Sequence, residues 1–240
     1  MGQETGILEN ELNVRAGDGA MLPAFLCEPP GVDDAPLVVI APEAFGLTPW
    51  VRSVARRLAH EGFRAIALEV FARDPLPAGS EMAAYIARIS RTSYPQVVAD
   101  LRAALDHAEV SGEKLASIGF CMGGSLSLLL AADGRRLDAA VACYGRLHHG
   151  APLGELRPEH PIDAAARIRC PVLGVYGRKD PSIPIADVDE LRTKAPAGSD
   201  VHLYDAGHAF LNDTRSEMFA PEQATLAWAK ITGFLRRNLT

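Results

Sequence analysis

The sequence lacks the features that mark nucleic-acid-binding and membrane proteins. Lys and Arg number 24 and Asp and Glu number 30, so the net charge is −6. Nucleic acids are bound through clusters of basic residues, which this balance disfavours. The most apolar stretches, such as residues 126–132, are far shorter than the roughly 18 apolar residues of a membrane span. The sequence therefore predicts neither a nucleic-acid nor a membrane partner.

Cysteine pairs and targeting signals are also missing. The four cysteines are Cys27, Cys121, Cys143 and Cys170, and no two of them form a CxxC metal or redox motif. Residues 1–13 are acidic and contain no apolar segment like that of a signal peptide. We therefore expect a cytoplasmic protein with free thiols.

Apolar runs that alternate with helical patterns make up most of the chain. Such alternation predicts an α/β fold, with a mostly parallel central sheet and helices on both faces. Near the N-terminus, residues 7–15 and 20–27 flank Gly17-Asp18-Gly19 and predict an antiparallel hairpin at one edge of the sheet. No linker interrupts the pattern, so residues 1–240 are predicted to form a single domain. The strand candidates beyond the hairpin are residues 37–41, 63–70, 115–120, 137–144, 171–176 and 201–204.

One segment points to nucleophilic chemistry. Gly119-Phe120-Cys121-Met122-Gly123-Gly124 fits the pattern G-x-nucleophile-x-G and lies between a strand candidate and a predicted helix at residues 125–132. A sharp strand-to-helix turn strains its central residue and requires glycine beside it. The turn lifts the central side chain above the sheet and presents the N–H of Met122 to developing negative charge. Cys121 is therefore the predicted nucleophile, with a buried cysteine in a glycine-rich turn as the alternative.

A base and an acid follow the candidate nucleophile in the order that such hydrolases require. His208 follows the last strand candidate and precedes the C-terminal helix, while the other six histidines lie in predicted helices, a strand or the long loop 145–161. Asp180 follows residues 171–176, at the strand end where α/β sites are built. A turn or helix-capping role is the alternative for Asp180. We predict a triad of Cys121, His208 and Asp180.

A loop after residues 37–41 is expected to complete the site. In this arrangement the loop supplies a second N–H for an oxyanion, and Ala44 in Pro42-Glu43-Ala44-Phe45-Gly46 is the candidate donor. A carboxylate at Glu43 beside a thiolate is a like-charge contact that disfavours ionisation of the thiol. A solvated loop residue is the alternative for Glu43.

These segments together resemble the dienelactone hydrolase (carboxymethylenebutenolidase) family, whose members are α/β-hydrolases with a Cys-His-Asp triad. The resemblance runs from the N-terminal hairpin to Gly207-His208-Ala209-Phe210. It implies the α/β-hydrolase fold, with Cys121 as nucleophile, His208 as base and Asp180 as its orienting acid. It also implies that Glu43 controls thiol ionisation and is bonded to the protonated thiol at rest.

The same resemblance identifies substrate-binding candidates and two departures from the family. The candidates are Phe45, Tyr85, Arg88, Tyr144, Phe210 and Asn212. Family members hold a substrate carboxylate with two arginines, but Asn212 and Glu81 occupy those positions here. Arg88, Arg91 and Arg146 are other cations that could take over this role.

The predicted function is hydrolysis of a small ester or lactone through a thioester intermediate, without metal or another cofactor. His148, His149 and His160 have no cysteine or carboxylate at ligand spacing, so they predict no metal site. One alternative is an acyl-transfer enzyme or thioesterase with the same triad. Another is a ligand-binding relative without turnover. We expect a monomer or a weak dimer.

Overall fold

From residue 37 onward, strands alternate with one or two helical segments as far as the C-terminal helix. The computed structural model describes residues 6–31, 34–77 and 79–240, so the first five residues of the acidic N-terminal segment lie outside the described part. The strands are β1 (Leu8–Arg15), β2 (Met21–Glu28), β3 (Leu37–Ala41), β4 (Arg64–Leu68), β5 (Leu115–Phe120), β6 (Ala139–Cys143), β7 (Val172–Gly177) and β8 (Asp200–Tyr204). The α-helices are α1 (Pro49–His60), α2 (Met82–Arg91), α3 (Tyr94–Ala108), α4 (Met122–Ala132), α5 (Pro161–Ala164), α6 (Ile185–Lys194) and α7 (Pro221–Leu239), and a 3-10 turn (Ala165–Arg167) follows α5.

The strands form one sheet in the order β1-β2-β4-β3-β5-β6-β7-β8. β1 pairs antiparallel with β2, and β2 pairs antiparallel with β4. All other pairs, from β4 to β8, are parallel. The predicted mostly parallel sheet and its N-terminal edge hairpin are confirmed. Every residue of β3, β5, β6 and β7 is buried, as expected for a sheet covered by helices on both faces.

Helix α1 shows how local sequence sets these elements. The hydroxyl of Thr48 caps the helix by accepting a hydrogen bond from the N–H of Val51 at 3.3 Å. Pro49 follows at the first helical position, where its missing N–H costs nothing. Trp50 and Leu58 are among the apolar residues that the helix buries on one face, against the sheet. None of the helices that the structure describes could cross a membrane.

The parallel strands gather the candidate site at one edge of the sheet. β5 ends at Phe120, immediately before Cys121. β7 and β8 end shortly before Asp180 and His208, and β3 ends shortly before Glu43. The carboxyl ends of parallel strands meet at the same edge, which brings these residues of distant sequence position into one region.

Candidate active site

Cys121 occupies a strained turn between β5 and α4. Its backbone has φ 54° and ψ −117°, a left-handed conformation that costs free energy in any residue other than glycine. Gly119 and Gly123 make the turn possible, because neither position has room for a side chain. A Cβ on Gly119 would lie 1.8 Å from the carbonyl oxygen of Gly123, and a Cβ on Gly123 would lie 2.0 Å from that of Ala41. The turn predicted from the glycine pattern is therefore present, with Cys121 partly exposed at its apex.

A continuous chain of hydrogen bonds links the three predicted triad residues. Nε2 of His208 lies 3.1 Å from Sγ of Cys121, and Nδ1 of His208 lies 2.6 Å from Oδ2 of Asp180. The other carboxylate oxygen of Asp180 accepts hydrogen bonds from the N–H of Ser182 at 2.8 Å and from its hydroxyl at 2.6 Å. The Asp180 side chain is fully buried. With both of its oxygens bonded, Asp180 is held rigidly behind the imidazole.

The charges of this chain favour a protonated imidazole. Burial alone would lower the pKa of His208, but the hydrogen bonds with Asp180 and Cys121 and the negative charge of both groups outweigh it and raise the pKa to about 10. Burial acts to raise the pKa of Asp180, and the hydrogen bonds from His208 and Ser182 overcome it, so that this pKa lies below its ordinary value. Asp180 therefore stays ionised and fixes a proton on Nδ1, which leaves Nε2 to exchange a proton with the thiol.

Glu43 is buried beside this chain and bonded to Asn212. Its side chain accepts a hydrogen bond from the Asn212 amide at 2.8 Å, and the residue is only 3% exposed, so the alternative of a solvated loop residue is wrong. The hydrogen bond between Glu43 and the thiol, which the family resemblance implies, is absent among the described residues. Sγ of Cys121 bonds to His208 instead. Burial raises the pKa of Glu43, while Asn212, Arg215 and His208 act in the opposite direction.

The N–H groups of Met122 and Ala44 are among the backbone N–H groups at the site that have no hydrogen-bond partner among the described residues. Met122 is the first residue of α4, where helix geometry leaves the N–H free and adds the positive end of the helix dipole. In the loop that follows β3 (residues 42–47, the β3 loop), the carbonyl of Glu43 accepts a hydrogen bond from the N–H of Gly46 at 3.1 Å. That bond fixes the peptide plane that carries the Ala44 N–H, because a trans peptide directs its N–H and its carbonyl to opposite sides.

A cleft of about 310 Å³ opens beside Cys121 and His208. Tyr144 forms part of its wall, with its ring centroid 5.3 Å from that of His208 and its hydroxyl unpartnered among the described residues. Arg146 adds a cation to the wall, so the long loop 145–161 contributes a residue to the lining of the cleft. The cleft is lined by Ile89, Tyr94, Cys121, Met122, Ser125, Tyr144, Arg146, Ser182 and His208.

The remaining substrate-binding candidates lie outside this cleft. Phe45 and Asn212 line a neighbouring cavity of about 380 Å³ that also contains Glu43 and Arg215. Phe210 is fully buried, with its ring centroid 5.8 Å from that of Tyr144. None of these three side chains is part of the described lining of the cleft beside the thiol.

The candidates on α2 are directed toward the β3 loop. The ring of Tyr85 packs edge-on against that of Phe45, with centroids 4.9 Å apart. Arg88 is buried and donates to the carbonyl of Ala44 at 2.8 Å. Arg91 pairs on the surface with Asp74 at 2.6 Å, and Glu81 is the exposed N-cap of the helix. Of the three alternative cations, only Arg146 lines the cleft.

Sequence reasoning missed several residues of the cleft. Ser182 lies two positions after Asp180, and an Asp whose side chain bonds backbone two residues on is a common turn signal that could have identified it. Ile89 and Tyr94 carry no such signal, because the packing of α2 and of the start of α3 brings them to the site. Among the described residues, no group of three or more His, Cys, Asp and Glu side chains could hold a metal ion.

Comparison with known proteins gives a consistent family assignment. The family model described as "Dienelactone hydrolase family" matches residues 22–239. The "Putative carboxymethylenebutenolidase" of Methylorubrum extorquens is 32% identical over 97% of this chain and 82% of its own length. The protein of the same name from Escherichia coli is 35% identical over 90% of this chain and 84% of its own length. A crystal structure of a "Putative Dienelactone Hydrolase" from Klebsiella pneumoniae superposes with a TM-score of 0.88 and 33% identity, covering 96% of this chain and 99% of that one.

Proposed function

Because this chain belongs to the dienelactone hydrolase family, whose α/β-hydrolase fold it shares, we propose that it hydrolyses a small carboxylic ester or lactone with Cys121, His208 and Asp180. The observation that carries the proposal is the unbroken hydrogen-bond chain from the thiol through the imidazole to the buried carboxylate. The same spacing of nucleophile, base and orienting acid serves acyl transfer on several unrelated folds.

In the proposed reaction, Sγ of Cys121 attacks the substrate carbonyl while Nε2 of His208 holds the thiol proton. The carbonyl oxygen becomes an oxyanion, and the N–H groups of Met122 and Ala44 stabilise it, each by about 3–4 kcal/mol as in comparable sites. The intermediate collapses when the bond to the alcohol oxygen breaks and His208 gives that oxygen its proton. The product of this half-reaction is a thioester on Cys121.

Deacylation reverses these roles. His208 removes a proton from water, the hydroxyl attacks the thioester carbonyl, and the same two N–H groups stabilise the second oxyanion. When the C–S bond breaks, the acid leaves and the thiolate regains a proton from His208. Asp180 holds the tautomer and orientation of the imidazole throughout.

Glu43 modulates the ionisation of the thiol in this proposal. A charged carboxylate at this position repels a thiolate, and the raised pKa of Glu43 reduces that repulsion by keeping more of the carboxyl group neutral. The hydrogen bond from Asn212 engages the Glu43 carboxyl group, while Sγ bonds to His208.

Hydrolysis of a small substrate panel tests the proposal. A dienelactone, a neutral lactone and p-nitrophenyl acetate are offered to wild type, to Cys121→Ala and to Cys170→Ala, a control that removes a buried thiol outside the cleft. We expect Cys121→Ala to lower turnover by about 10⁵-fold or more, as loss of a nucleophile does elsewhere, and Cys170→Ala to keep it.

Full activity of Cys121→Ala would contradict the proposal. Transfer of the acyl group to an added alcohol or thiol faster than to water would favour the acyl-transfer alternative. The ranking of the dienelactone against the neutral lactone shows whether the site still prefers a carboxylated substrate although Asn212 and Glu81 provide no cation.

A further inference from the structure

Arg88 is the only fully buried residue of α2. The rest of this helix is partly or largely exposed, including Met82 and Ile86, which are 50% and 60% exposed. An amphipathic helix normally anchors itself through apolar side chains. Here the deepest anchor is Arg88, a residue that is only 4% exposed and whose charge is costly to bury, which calls for a specific function.

The partners of the Arg88 guanidinium are backbone carbonyls and an aromatic ring. Nη2 donates to the carbonyl of Ala44 at 2.8 Å and Nη1 to that of Asp74 at 3.4 Å. The guanidinium carbon lies 3.7 Å from the centroid of the Phe71 ring, and Nε has no partner among the described residues. Burial lowers the pKa of Arg88, opposed mainly by the negative charge of Glu69. The shorter hydrogen bond of Arg88 therefore goes to a backbone carbonyl of the β3 loop rather than to a carboxylate.

A carboxylate holds the other end of the same loop. Oε2 of Glu69 accepts a hydrogen bond from the N–H of Leu47 at 2.9 Å, and Oε1 accepts one from the N–H of Phe71 at 3.0 Å. Gly46 approaches Glu69 so closely that a Cβ there would lie 2.3 Å from Oε1. The guanidinium of Arg88 thus holds a carbonyl near one end of the loop 43–47, and the carboxylate of Glu69 holds an N–H at the other end. Each charge meets the backbone dipole in its favourable orientation.

We propose that Arg88 is a positioning residue, which acts through the carbonyl of Ala44 to hold the Ala44 N–H where it stabilises the oxyanion. The inference rests on the proposed function, because it assigns Arg88 a part in that reaction. The hydrogen bond to the Ala44 carbonyl restrains the peptide after Ala44, and the bond between Gly46 and Glu43 restrains the peptide before it. Arg88 therefore fixes a donor for the transition state instead of binding the substrate.

The test compares Arg88→Met, which keeps the apolar stem, and Arg88→Lys, which keeps the charge, with Arg91→Met as a control. Arg91 lies on the same helix and makes only an exposed pair with Asp74, whose loss has little effect. For each variant, kcat and KM are measured with p-nitrophenyl acetate, together with the melting temperature. Alkylation of Cys121 by iodoacetamide is measured in parallel, because that reaction needs the thiolate but forms no oxyanion.

We expect Arg88→Met to lower kcat and kcat/KM together by about 10- to 100-fold, the effect of a displaced oxyanion donor, with KM nearly unchanged. The alkylation rate should stay within about twofold of wild type, since the thiol and His208 are untouched. Arg88→Lys should recover part of kcat, and Arg91→Met should match wild type.

Three results would overturn the inference. If Arg88→Met keeps kcat while wild-type turnover depends on Cys121, the proposed function stands and only the role of Arg88 is wrong. If alkylation falls in proportion to kcat, Arg88 supports the site as a whole. If KM rises at constant kcat, Arg88 binds substrate. Turnover that survives in Cys121→Ala would instead remove the proposed function, and the inference with it.

Discussion

The hydrogen bonds of His208 couple the candidate site to the stability of the fold. The ordinary pKa of histidine is about 6.5, and the contacts with Asp180 and Cys121 raise that of His208 to about 10 in the folded protein. A raised pKa means that protonation favours folding. This contribution is fully present below about pH 6.5 and is lost as the pH rises through about 10.

We therefore predict that His208 makes the protein less stable as the pH rises from 6.5 to 10. Urea unfolding midpoints of wild type should fall over this range, and His208→Gln should remove part of that fall. His60→Gln, which changes an exposed histidine at the end of α1, is the control and should keep the wild-type slope. Identical slopes for wild type and His208→Gln would show that the imidazole is not held as an ion pair.

Single residues differ in how far the sequence predicts them. Cys121, Asp180 and His208 could be proposed as a triad from the sequence, because each follows a strand and the three occur in a fixed order. The bond between Glu43 and Asn212 joins positions far apart in sequence, and no local pattern indicates it. The burial of Arg88 could not be predicted either, because a charged residue on a helix is usually assigned to the solvent side.

At the scale of elements, the glycines of the Cys121 turn determine where α4 can lie. The sequence predicts this helix from residue 125, whereas it begins at Met122. Glycine disfavours helices by up to about 1 kcal/mol, so Gly123 and Gly124 favour a turn by local preference. Tertiary packing overrides that preference, because Gly123 allows α4 to lie directly against the carbonyl of Ala41 at the end of β3.

Two Gly→Ala substitutions in helices should therefore have opposite effects. A methyl group on Gly123 would meet backbone at 2.0 Å, so Gly123→Ala should lower the free energy of unfolding by about 3 kcal/mol or more. Gly233 lies in α7 with no atom near its missing Cβ, so Gly233→Ala should raise it by about 0.5–1 kcal/mol. Denaturant unfolding of both variants measures the difference. Equal effects would show that α4 does not approach β3 as described.

At the scale of the whole molecule, the parallel sheet explains why so much of the site could be predicted. Each strand end is a local sequence signal, and the topology brings those ends to one edge. Part of the cleft wall could not be predicted in this way, because Ile89 and Tyr94 reach it from α2 and α3, whose packing depends on the assembled fold. The single domain and the monomer or weak dimer stay predictions.

Capture of the acyl-enzyme shows whether Cys121 is the nucleophile. Wild type and Cys121→Ala are mixed with p-nitrophenyl acetate, quenched in acid within the first turnovers, and analysed by intact mass and peptide mapping. We predict a mass gain of one acetyl group on wild type, located on Cys121 and absent from the variant. An acetyl group on another residue, or rapid turnover without any acetylated Cys121, would contradict it.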